Sequence, residues 1–293
     1  MRLFISLLTI TVSLFAIEPL VTPKWLNQHL NDKNLVVVEV GALGRYNEEH
    51  IPNAMHTDIA AWRFNNGTFL SVRGVAEIEK EISDLGIDKN SEVVLYAPID
   101  KAKALLKTTY IYWVLNYHGI KSVAILDGGS NNWEKQEFPL TNRISNIAKT
   151  DFKATIDKSK IADLKYVSSH IGKLPMLDAR PSDKYLGITP TPTVKRDGHI
   201  RGAMSYSWNY SINSDFTLKP KEKLKSIFKD GYKLDKSTEI IVYCTGGLET
   251  SFNYFVLSGV LGYKNIRLYD ASMKEWGNRK DTKMSKYHYE VFH

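Results

Sequence analysis

The sequence carries one ordered set of landmarks twice, and this repeat limits the folds that the chain can adopt. Four landmarks recur in the same order: His50 as His199, Ala97 as Cys244, Asp127 as Asp270, and Trp133 as Trp276. The separation between matching positions stays between 143 and 149 residues. Landmarks that repeat in order at a nearly constant offset indicate an internal duplication. We therefore expect two tandem copies of one structural unit.

Each copy alternates β-rich runs with segments of helical character. The predicted strands are 34–40, 92–97, 122–126, 175–180, 239–243 and 266–269, and the predicted helices are 23–30, 75–85, 101–117 and 249–261. This alternation predicts an α/β fold in which each domain is a parallel sheet flanked by helices on both faces. A length of 293 residues suggests about two domains. We place them at residues 17–142 and 150–293, joined by a polar, lysine-rich linker.

Residues 1–16 have the pattern of a secretory signal peptide. One positive charge at Arg2 precedes a short apolar run that ends at Ala16, and Glu18 and Pro19 follow. The apolar run is too short to cross a membrane. We expect cleavage after Ala16 and a periplasmic or secreted protein, with an uncleaved membrane anchor as the alternative.

Composition and charge limit the kinds of molecule that the chain is expected to bind. A hydrophobic content of 43% and a charged content of 24% are typical of soluble globular proteins. The formal net charge of +7 favours an anionic ligand. The basic residues are scattered rather than clustered, so nucleic-acid binding has little support. We expect a monomer or weak dimer with no membrane contact beyond the signal segment.

The only cysteine of the chain, Cys244, lies where a strand meets a helix. The β-branched run 240–243 ends there, and Gly246 and Gly247 follow. Backbone N–H groups in the first turn of a helix are unpaired, and with the helix dipole they favour a thiolate. Glycines let the backbone curl around the sulfur. The pattern predicts a nucleophile in an anion-binding cradle, with a buried, inert cysteine as the alternative.

The two copies differ in whether they carry a nucleophile. The position that matches Cys244 in the first copy is Ala97, followed by Pro98-Ile99-Asp100. The first copy therefore keeps the fold without the nucleophile, and we expect it to supply one wall of the cleft. A single cysteine cannot close an intramolecular disulfide, so a disulfide between two chains is a further alternative.

Taken together, these motifs resemble those of a tandem-domain rhodanese, a sulfurtransferase of the thiosulfate or 3-mercaptopyruvate type. The matching motifs are His50-Ile51-Pro52, Asp127-Gly128-Gly129, Asp178-Ala179-Arg180, Tyr185-Leu186-Gly187, Gly198-His199-Ile200-Arg201-Gly202-Ala203, Tyr269-Asp270-Ala271-Ser272 and the Cys244 loop. The resemblance implies two rhodanese-like domains, the first inactive and the second catalytic. It also implies transfer of a sulfane sulfur from an anionic donor (thiosulfate or 3-mercaptopyruvate) to cyanide or a thiol, through a persulfide on Cys244. No cofactor is required.

The candidate site follows from the cysteine loop and the resemblance. Cys244 is the nucleophile. The backbone amides of the loop that follows are expected to stabilise the thiolate and the persulfide, and this loop consists of Thr245, Gly246, Gly247, Leu248, Glu249 and Thr250. Lys184 and Arg180 are candidates for binding the donor. Pairing of Arg180 with Asp178 is favoured over direct donor contact, because a buried charge needs a partner. No metal is expected, because the eight histidines show no close ligand spacing.

The cysteine loop departs from the family pattern. Thr245 and Gly246 stand where the family usually carries a basic pair for thiosulfate or a small, Gly-Ser-like pair for mercaptopyruvate. Lys184 replaces the usual arginine before the tyrosine and lacks its bidentate fork. Glu249 places an acid next to an anion site. It either stabilises the helix N-terminus or raises the thiol pKa through like-charge repulsion.

Several other residues are given structural roles. We expect His50 and His199 to fix loops through backbone hydrogen bonds, because both copies carry the histidine with or without a nucleophile. Asp270 is expected to be structural at a strand end. Trp208 and Tyr210 are expected to pack in the core rather than line the cleft.

Two other functions compete with the sulfurtransferase. A phosphatase on a rhodanese-like fold needs an arginine where this chain has Thr250, and nothing else supplies a bidentate phosphate contact. A periplasmic sulfur carrier or partner-binding scaffold with little turnover stays open, because a fold alone does not give a function.

Overall fold

A computed structural model describes residues 17–99 and 101–292. The predicted signal segment at 1–16 and Asp100 of the first-copy loop lie outside the described residues. Within the described part of the chain, no helix is both long enough and apolar enough to cross a membrane.

The first domain is built on a parallel sheet. Its strands are β1 (Leu20–Val21), β2 (Leu35–Val40), β3 (Met55–Thr57), β4 (Arg63–Asn65), β5 (Leu70–Val72), β6 (Glu92–Tyr96) and β7 (Val123–Leu126). Its helices are α1 (Pro23–His29), α2 (Leu43–Glu48), α3 (Val75–Asp84), α4 (Ala102–Tyr117) and α5 (Gly129–Lys135). The sheet runs β1-β7-β6-β2-β3 with parallel neighbours, while β4 and β5 form a separate antiparallel hairpin.

The second domain repeats this plan. Its strands are β8 (Met176–Asp178), β9 (His199–Ile200), β10 (Met204–Ser205), β11 (Glu239–Tyr243), β12 (Asn265–Leu268) and β13 (Met284–Ser285). Its helices are α6 (Leu164–His170), α7 (Ser182–Tyr185), α8 (Lys221–Ser226), α9 (Leu248–Tyr254) and α10 (Ser272–Trp276). The parallel sheet runs β10-β8-β11-β12. Two parallel sheets flanked by helices confirm the predicted fold class.

The strand register also repeats between the copies. Glu39 on β2 lies opposite Tyr96 on β6, and Asp178 on β8 lies opposite Tyr243 on β11. In both sheets an acid thus faces a tyrosine at the carboxyl end of the central strands. Because side chains alternate along a strand, a matching register brings matching side chains to the same edge.

Local sequence signals account for the start of α1. The Thr22 side chain accepts a hydrogen bond from the Trp25 N–H at 3.1 Å, and Pro23 is the first residue of α1, as expected for a capped helix. The helix predicted at 249–261 begins one residue earlier. It changes after Tyr254 into wider π-type turns over Phe255–Val260.

Both histidine motifs fix loops, as predicted. His50 stacks on Tyr46 and His199 stacks on Tyr185, each with ring centroids 3.8 Å apart. Each Nδ1 contacts the carbonyl oxygen of its own tyrosine, at 2.7 and 2.8 Å. Burial lowers the pKa of His199, which keeps this ring neutral near pH 7.

Strand-end aspartates join the two domains. Asp127 Oδ1 accepts a hydrogen bond from the Leu218 N–H of the second domain at 2.8 Å. Asp270 Oδ2 accepts from the Val72 N–H at 2.9 Å and from the Tyr110 hydroxyl at 2.8 Å, both in the first domain. The structural role predicted for Asp270 is confirmed, and it extends across the interface.

The apolar core is continuous across this interface. One buried cluster contains Val38 and Ile111 of the first domain together with Val242 and Leu257 of the second. Helices α4 and α9 pack against each other, and the Thr109 and Ser251 hydroxyls meet there at 3.0 Å. Burial of this shared surface holds the domains together and places α4 beside the cysteine loop.

Trp208 and Tyr210, both predicted to pack in the core, differ in burial. Trp208 is buried and meets Phe252 edge to face, with centroids 5.4 Å apart, as predicted. The prediction for Tyr210 is wrong, since 46% of its surface is exposed. Both lie on the short 3-10 turn Trp208–Ser211, and this turn directs only Trp208 inward.

Candidate active site

The cysteine loop forms the cradle that the sequence predicts. Cys244 follows β11 directly, and its Sγ accepts hydrogen bonds from the N–H groups of Gly246 at 3.3 Å and Gly247 at 3.1 Å. The Cys244 carbonyl accepts from the Met273 N–H at 3.0 Å, which ties the loop to α10. Backbone donors thus converge on the sulfur, where they stabilise negative charge.

Only one of the two loop glycines is required by geometry. Gly247 has a φ of +92°, and a Cβ there would lie 2.2 Å from Asp270 Oδ1. Gly246 lacks a positive φ, and its Cβ would meet only the flexible Lys274 stem, at 3.3 Å. The tight approach of the loop to Asp270 therefore depends on Gly247.

The pKa of the Cys244 thiol is higher than the sequence predicts. Burial and the nearby Glu249 carboxylate raise the pKa of Cys244 to about 11, although Thr250 and the Gly246 N–H act to lower it. The Thr250 hydroxyl is close enough for this effect but makes no hydrogen bond of normal geometry. The predicted amide effect is present, yet burial outweighs it. The expectation of a net preference for the thiolate is thus wrong for this structure.

Glu249 and the thiol influence each other. Burial raises the pKa of the Glu249 carboxyl, the charge of Asp178 raises it further, and contact with Cys244 lowers it. In turn, the charge of Glu249 raises the pKa of the thiol, as the like-charge alternative predicts. Glu249 is also the second residue of α9, where a negative charge suits the helix dipole.

The two predicted donor-binding residues lie away from the cavity wall. Arg180 is buried and its Nε donates to Asp178 Oδ1 at 2.9 Å, which is the favoured pairing. Its Nη2 donates to the Gly198 carbonyl at 2.7 Å. Lys184 lies partly exposed on α7. Neither lines the cavity at Cys244, and donor contact by either residue stays a prediction.

Cys244 opens onto a cavity of about 630 Å³ between the domains. The second domain contributes Cys244, Thr245, Gly246, Leu248, Glu249 and Lys274, and the first contributes Ile59, Ala60, Arg63, Leu70, Lys103, Leu106 and Lys107. The domain without the nucleophile thus supplies one wall of the cleft, as the duplication predicts.

Three lysines bring positive charge to this cavity. Lys103 and Lys107 lie one turn apart on α4, and Lys274 lies on α10 with its aliphatic stem over Gly246. Lys107 approaches Asp58 at 3.7 Å, whereas Lys103 and Lys274 form no ion pair within the described part of the chain. Sequence reasoning missed these residues, because neither the loop nor the repeat marks them.

A first-domain arginine holds the cysteine loop from the opposite side. Arg63 Nη2 donates to the Gly246 carbonyl at 2.7 Å and to the Leu70 carbonyl at 3.0 Å. It also lies 3.4 Å from Asp270 Oδ1, and its guanidinium stacks over the Tyr110 ring at 4.4 Å. Its loop partner is 183 positions away in sequence, so no local pattern pointed to it.

Comparison with known families agrees with this geometry. The family model described as Rhodanese-like domain matches the chain twice, over residues 22–136 and 163–279. The two matches fall on the two sheets described above and together cover most of the chain.

Relatives of similar length carry names from sulfur chemistry. The chain is 30% identical to a Haloferax volcanii protein named "Putative thiosulfate sulfurtransferase", over 90% of this chain and 95% of that one. It is 31% identical to "Sulfur carrier protein TtuD" of Thermus thermophilus, over 89% of this chain and 94% of that one.

Solved structures share the fold at lower identity. An anaerobic ergothioneine biosynthesis enzyme from Chlorobium limicola, in complex with trimethyl histidine, superposes with a TM-score of 0.79 at 20% identity. The match covers 93% of this chain and 70% of that one. The crystal structure of YnjE gives a TM-score of 0.79 at 21% identity, over 93% of this chain and 69% of that one.

Proposed function

Because the chain belongs to the rhodanese-like domain family, we propose that it transfers a sulfane sulfur through a persulfide on Cys244. Family membership and the names of the relatives support sulfurtransferase activity in general. The observation that carries the specific proposal is the Cys244 Sγ, which accepts two backbone N–H groups and faces the cavity between the domains.

The transfer takes two displacements. The Cys244 thiol gives its proton to Glu249, and the thiolate attacks the outer sulfur of thiosulfate. A new S–S bond forms on the cysteine, the bond to the sulfite sulfur breaks, and sulfite leaves with the electron pair. Cyanide or a thiol then attacks the outer sulfur of the persulfide, and the Cys244 thiolate is released. The Gly246 and Gly247 amides stabilise the negative sulfur at each stage.

The lysines of the cavity suit an anionic donor. Lys103 and Lys274 come from different domains and both line the cavity that Cys244 faces. Thiosulfate and 3-mercaptopyruvate each carry negative charge beside the sulfur that is transferred. We propose that these two lysines bind that negative charge. They would take the role of the basic loop pair, whose positions are occupied here by Thr245 and Gly246.

Steady-state sulfur transfer tests the proposal. The chain without residues 1–16 is given thiosulfate, or in parallel 3-mercaptopyruvate, with cyanide as the acceptor, and thiocyanate is measured. We expect turnover with at least one donor and none with Cys244→Ser. Equal thiocyanate formation by the serine variant contradicts the proposal.

A sulfur carrier is the second candidate, since one relative carries that name. The raised pKa of Cys244 favours it, because a mostly protonated thiol reacts slowly without a specific partner. A carrier takes up sulfur on Cys244 but releases little to cyanide. A persulfide without turnover therefore supports this second function.

We also propose that the chain is exported and assembles no further than a weak dimer. The pattern of residues 1–16 supports a periplasmic or secreted protein. Fractionation of cells that express the chain with and without this segment tests that location. We propose a monomer or weak dimer, and sedimentation over a concentration series measures it.

A further inference from the structure

Three potential metal ligands meet on the second domain, apart from the cysteine cavity. His199 Nε2 lies 3.7 Å from Glu290 Oε1, and His288 Nε2 lies 3.3 Å from the same oxygen. All three atoms lie within 4.8 Å of one another. No other such group occurs among residues 17–99 and 101–292.

The buried histidine presents a free nitrogen to this group. His199 Nδ1 contacts the Tyr185 carbonyl at 2.8 Å, and a carbonyl can only accept, so the ring proton lies on Nδ1. Its Nε2 then carries a lone pair. This atom is fully buried and has no hydrogen-bond partner. An unpaired buried acceptor beside a carboxylate and a second imidazole needs a partner, and one cation would satisfy all three groups together.

The other two ligands are also oriented. His288 Nδ1 contacts the Lys286 carbonyl at 3.0 Å, and its Nε2 lies within hydrogen-bond distance of Glu290 Oε1 at 3.3 Å. With the ring proton on Nδ1, Nε2 offers a lone pair to a cation in place of the hydrogen bond that it can otherwise donate to Glu290. The Glu290 carboxylate accepts from the Gly202 N–H at 3.2 Å, and the Glu290 N–H donates to the Tyr185 hydroxyl at 3.0 Å. Metal-binding histidines characteristically donate their other ring N–H to a carbonyl or carboxylate in this way.

The first copy provides an internal reference for the buried histidine. In both copies a later segment pairs antiparallel with the histidine, through Thr141 at His50 and Ser285 at His199. His50 Nε2 meets the Arg143 carbonyl at 3.2 Å. In the second copy the matching nitrogen meets His288 and Glu290 instead. The difference between the copies is thus a replacement of one backbone oxygen by an imidazole and a carboxylate, two groups of the kinds that bind metals.

We propose that His199, His288 and Glu290 bind one divalent transition-metal ion of the Zn²⁺ class. A tetrahedral ion with bonds of about 2.0–2.1 Å separates its ligand atoms by about 3.3–3.4 Å. The 3.3 and 3.7 Å separations from Glu290 Oε1 are close to that value. The two Nε2 atoms lie within 4.8 Å of each other, and rotation of the exposed His288 side chain brings them closer. His288 is 57% exposed, so water can complete the coordination from the solvent side. The ion fastens residues 284–290 to the rest of the second domain.

Zn²⁺ titration of the untagged chain tests the site. All proteins carry Cys244→Ser, because a thiol is itself a zinc ligand. Calorimetry gives stoichiometry and affinity, and visible absorption of added Co²⁺ reports tetrahedral coordination. The variants are His288→Gln and Glu290→Gln, which alter partly exposed side chains. The matched control is His170→Gln, because His170 also stacks on a tyrosine and contacts its carbonyl through Nδ1.

We expect one Zn²⁺ per chain, a higher unfolding midpoint with Zn²⁺, and affinity at least about tenfold weaker in each ligand variant. His170→Gln should bind like its parent. Absence of binding by the folded parent protein overturns the site. An equal loss in His170→Gln, or unchanged affinity in the ligand variants, also overturns it.

Discussion

Ala97 and Cys244 occupy matching positions, and the two copies hold their backbones in the same way. Only Cys244 carries a group that can act as a nucleophile. The carbonyls of Ala97 and Cys244 each accept an N–H from the helix that follows the next strand, Ser130 and Met273 respectively, both at 3.0 Å. Five residues connect β6 to α4, whereas four connect β11 to α9. Pro98 follows Ala97 and has no N–H to donate. The two copies thus share the scaffold, while the sulfur and the two N–H groups that bind it belong to the second copy.

This difference separates the fold from its function. The stacked Tyr–His pairs and the strand-end aspartates recur in both halves and serve structure. The first copy contributes one wall of the cavity, including Lys103, and the Arg63 contact with the cysteine loop. Function therefore lies in a small group of residues on a repeated scaffold.

Moving the thiol to the first copy is the strongest challenge to this comparison. We expect Ala97→Cys combined with Cys244→Ser to show no sulfur transfer above Cys244→Ser alone. The first-copy loop begins with Pro98, and the Cys244 cavity is not lined by Ala97. Thiocyanate formation from thiosulfate and cyanide measures the outcome. Recovery of a substantial share of wild-type turnover would show that the copies are equivalent.

Removing the arginine that links the copies should have the next largest effect. Arg63→Met leaves Asp270 buried without its cationic partner, and breaking a buried pair costs about 3–5 kcal/mol of unfolding free energy. The cysteine loop also loses the hydrogen bond to the Gly246 carbonyl. Urea unfolding measures the loss.

The control for Arg63 is Arg73→Ala, which alters a partly exposed arginine paired with Glu77. We expect this surface change to stay within about 0.5 kcal/mol. A similar small effect for Arg63→Met would mean that the link between the copies is energetically unimportant.

The two loop glycines give a smaller and more local contrast. Gly247→Ala forces a residue with a side chain into a φ of +92° and a 2.2 Å clash with Asp270. We expect a loss of about 1–3 kcal/mol in unfolding free energy. Gly246→Ala meets only the movable Lys274 stem and should cost less. Thermal unfolding compares them, and equal costs would contradict the geometry of the cradle.

Glu249 tunes the thiol without building the loop. Glu249→Gln removes a negative charge that disfavours the thiolate, so the pKa of Cys244 should fall below its value of about 11. The pH profile of iodoacetamide alkylation reads this pKa, and its midpoint should move to lower pH. Glu222→Gln is the matched control, because Glu222 also lies second in its helix but is exposed. An unchanged or higher midpoint in Glu249→Gln would contradict the repulsion.

The sequence predicted the scaffold because its signals are local or periodic. Strand β11 matches its predicted bounds, and the α1 cap at Thr22 follows from residue preferences at helix ends. The duplication then extended these local signals to the topology of a second domain. The cradle at Cys244 was also predictable, because it depends on a strand, two glycines and a helix that are adjacent in sequence.

The contacts across the domain interface could not be predicted from the sequence. Arg63 and Lys103 come close to Cys244 only after the copies have packed together, and no spacing records that packing. The net pKa of the thiol was missed for a related reason. The sequence identified the donors and Glu249, but the extent of burial depends on the whole fold.

The most direct test of the central claim is the mass of the intact chain after one exposure to the sulfur donor without acceptor. The account predicts a gain of one sulfur atom, located on the peptide that contains Cys244 and lost on addition of cyanide. Cys244→Ser should gain nothing under the same conditions. An unchanged mass with both thiosulfate and 3-mercaptopyruvate, or a sulfur retained by the serine variant, would contradict the account.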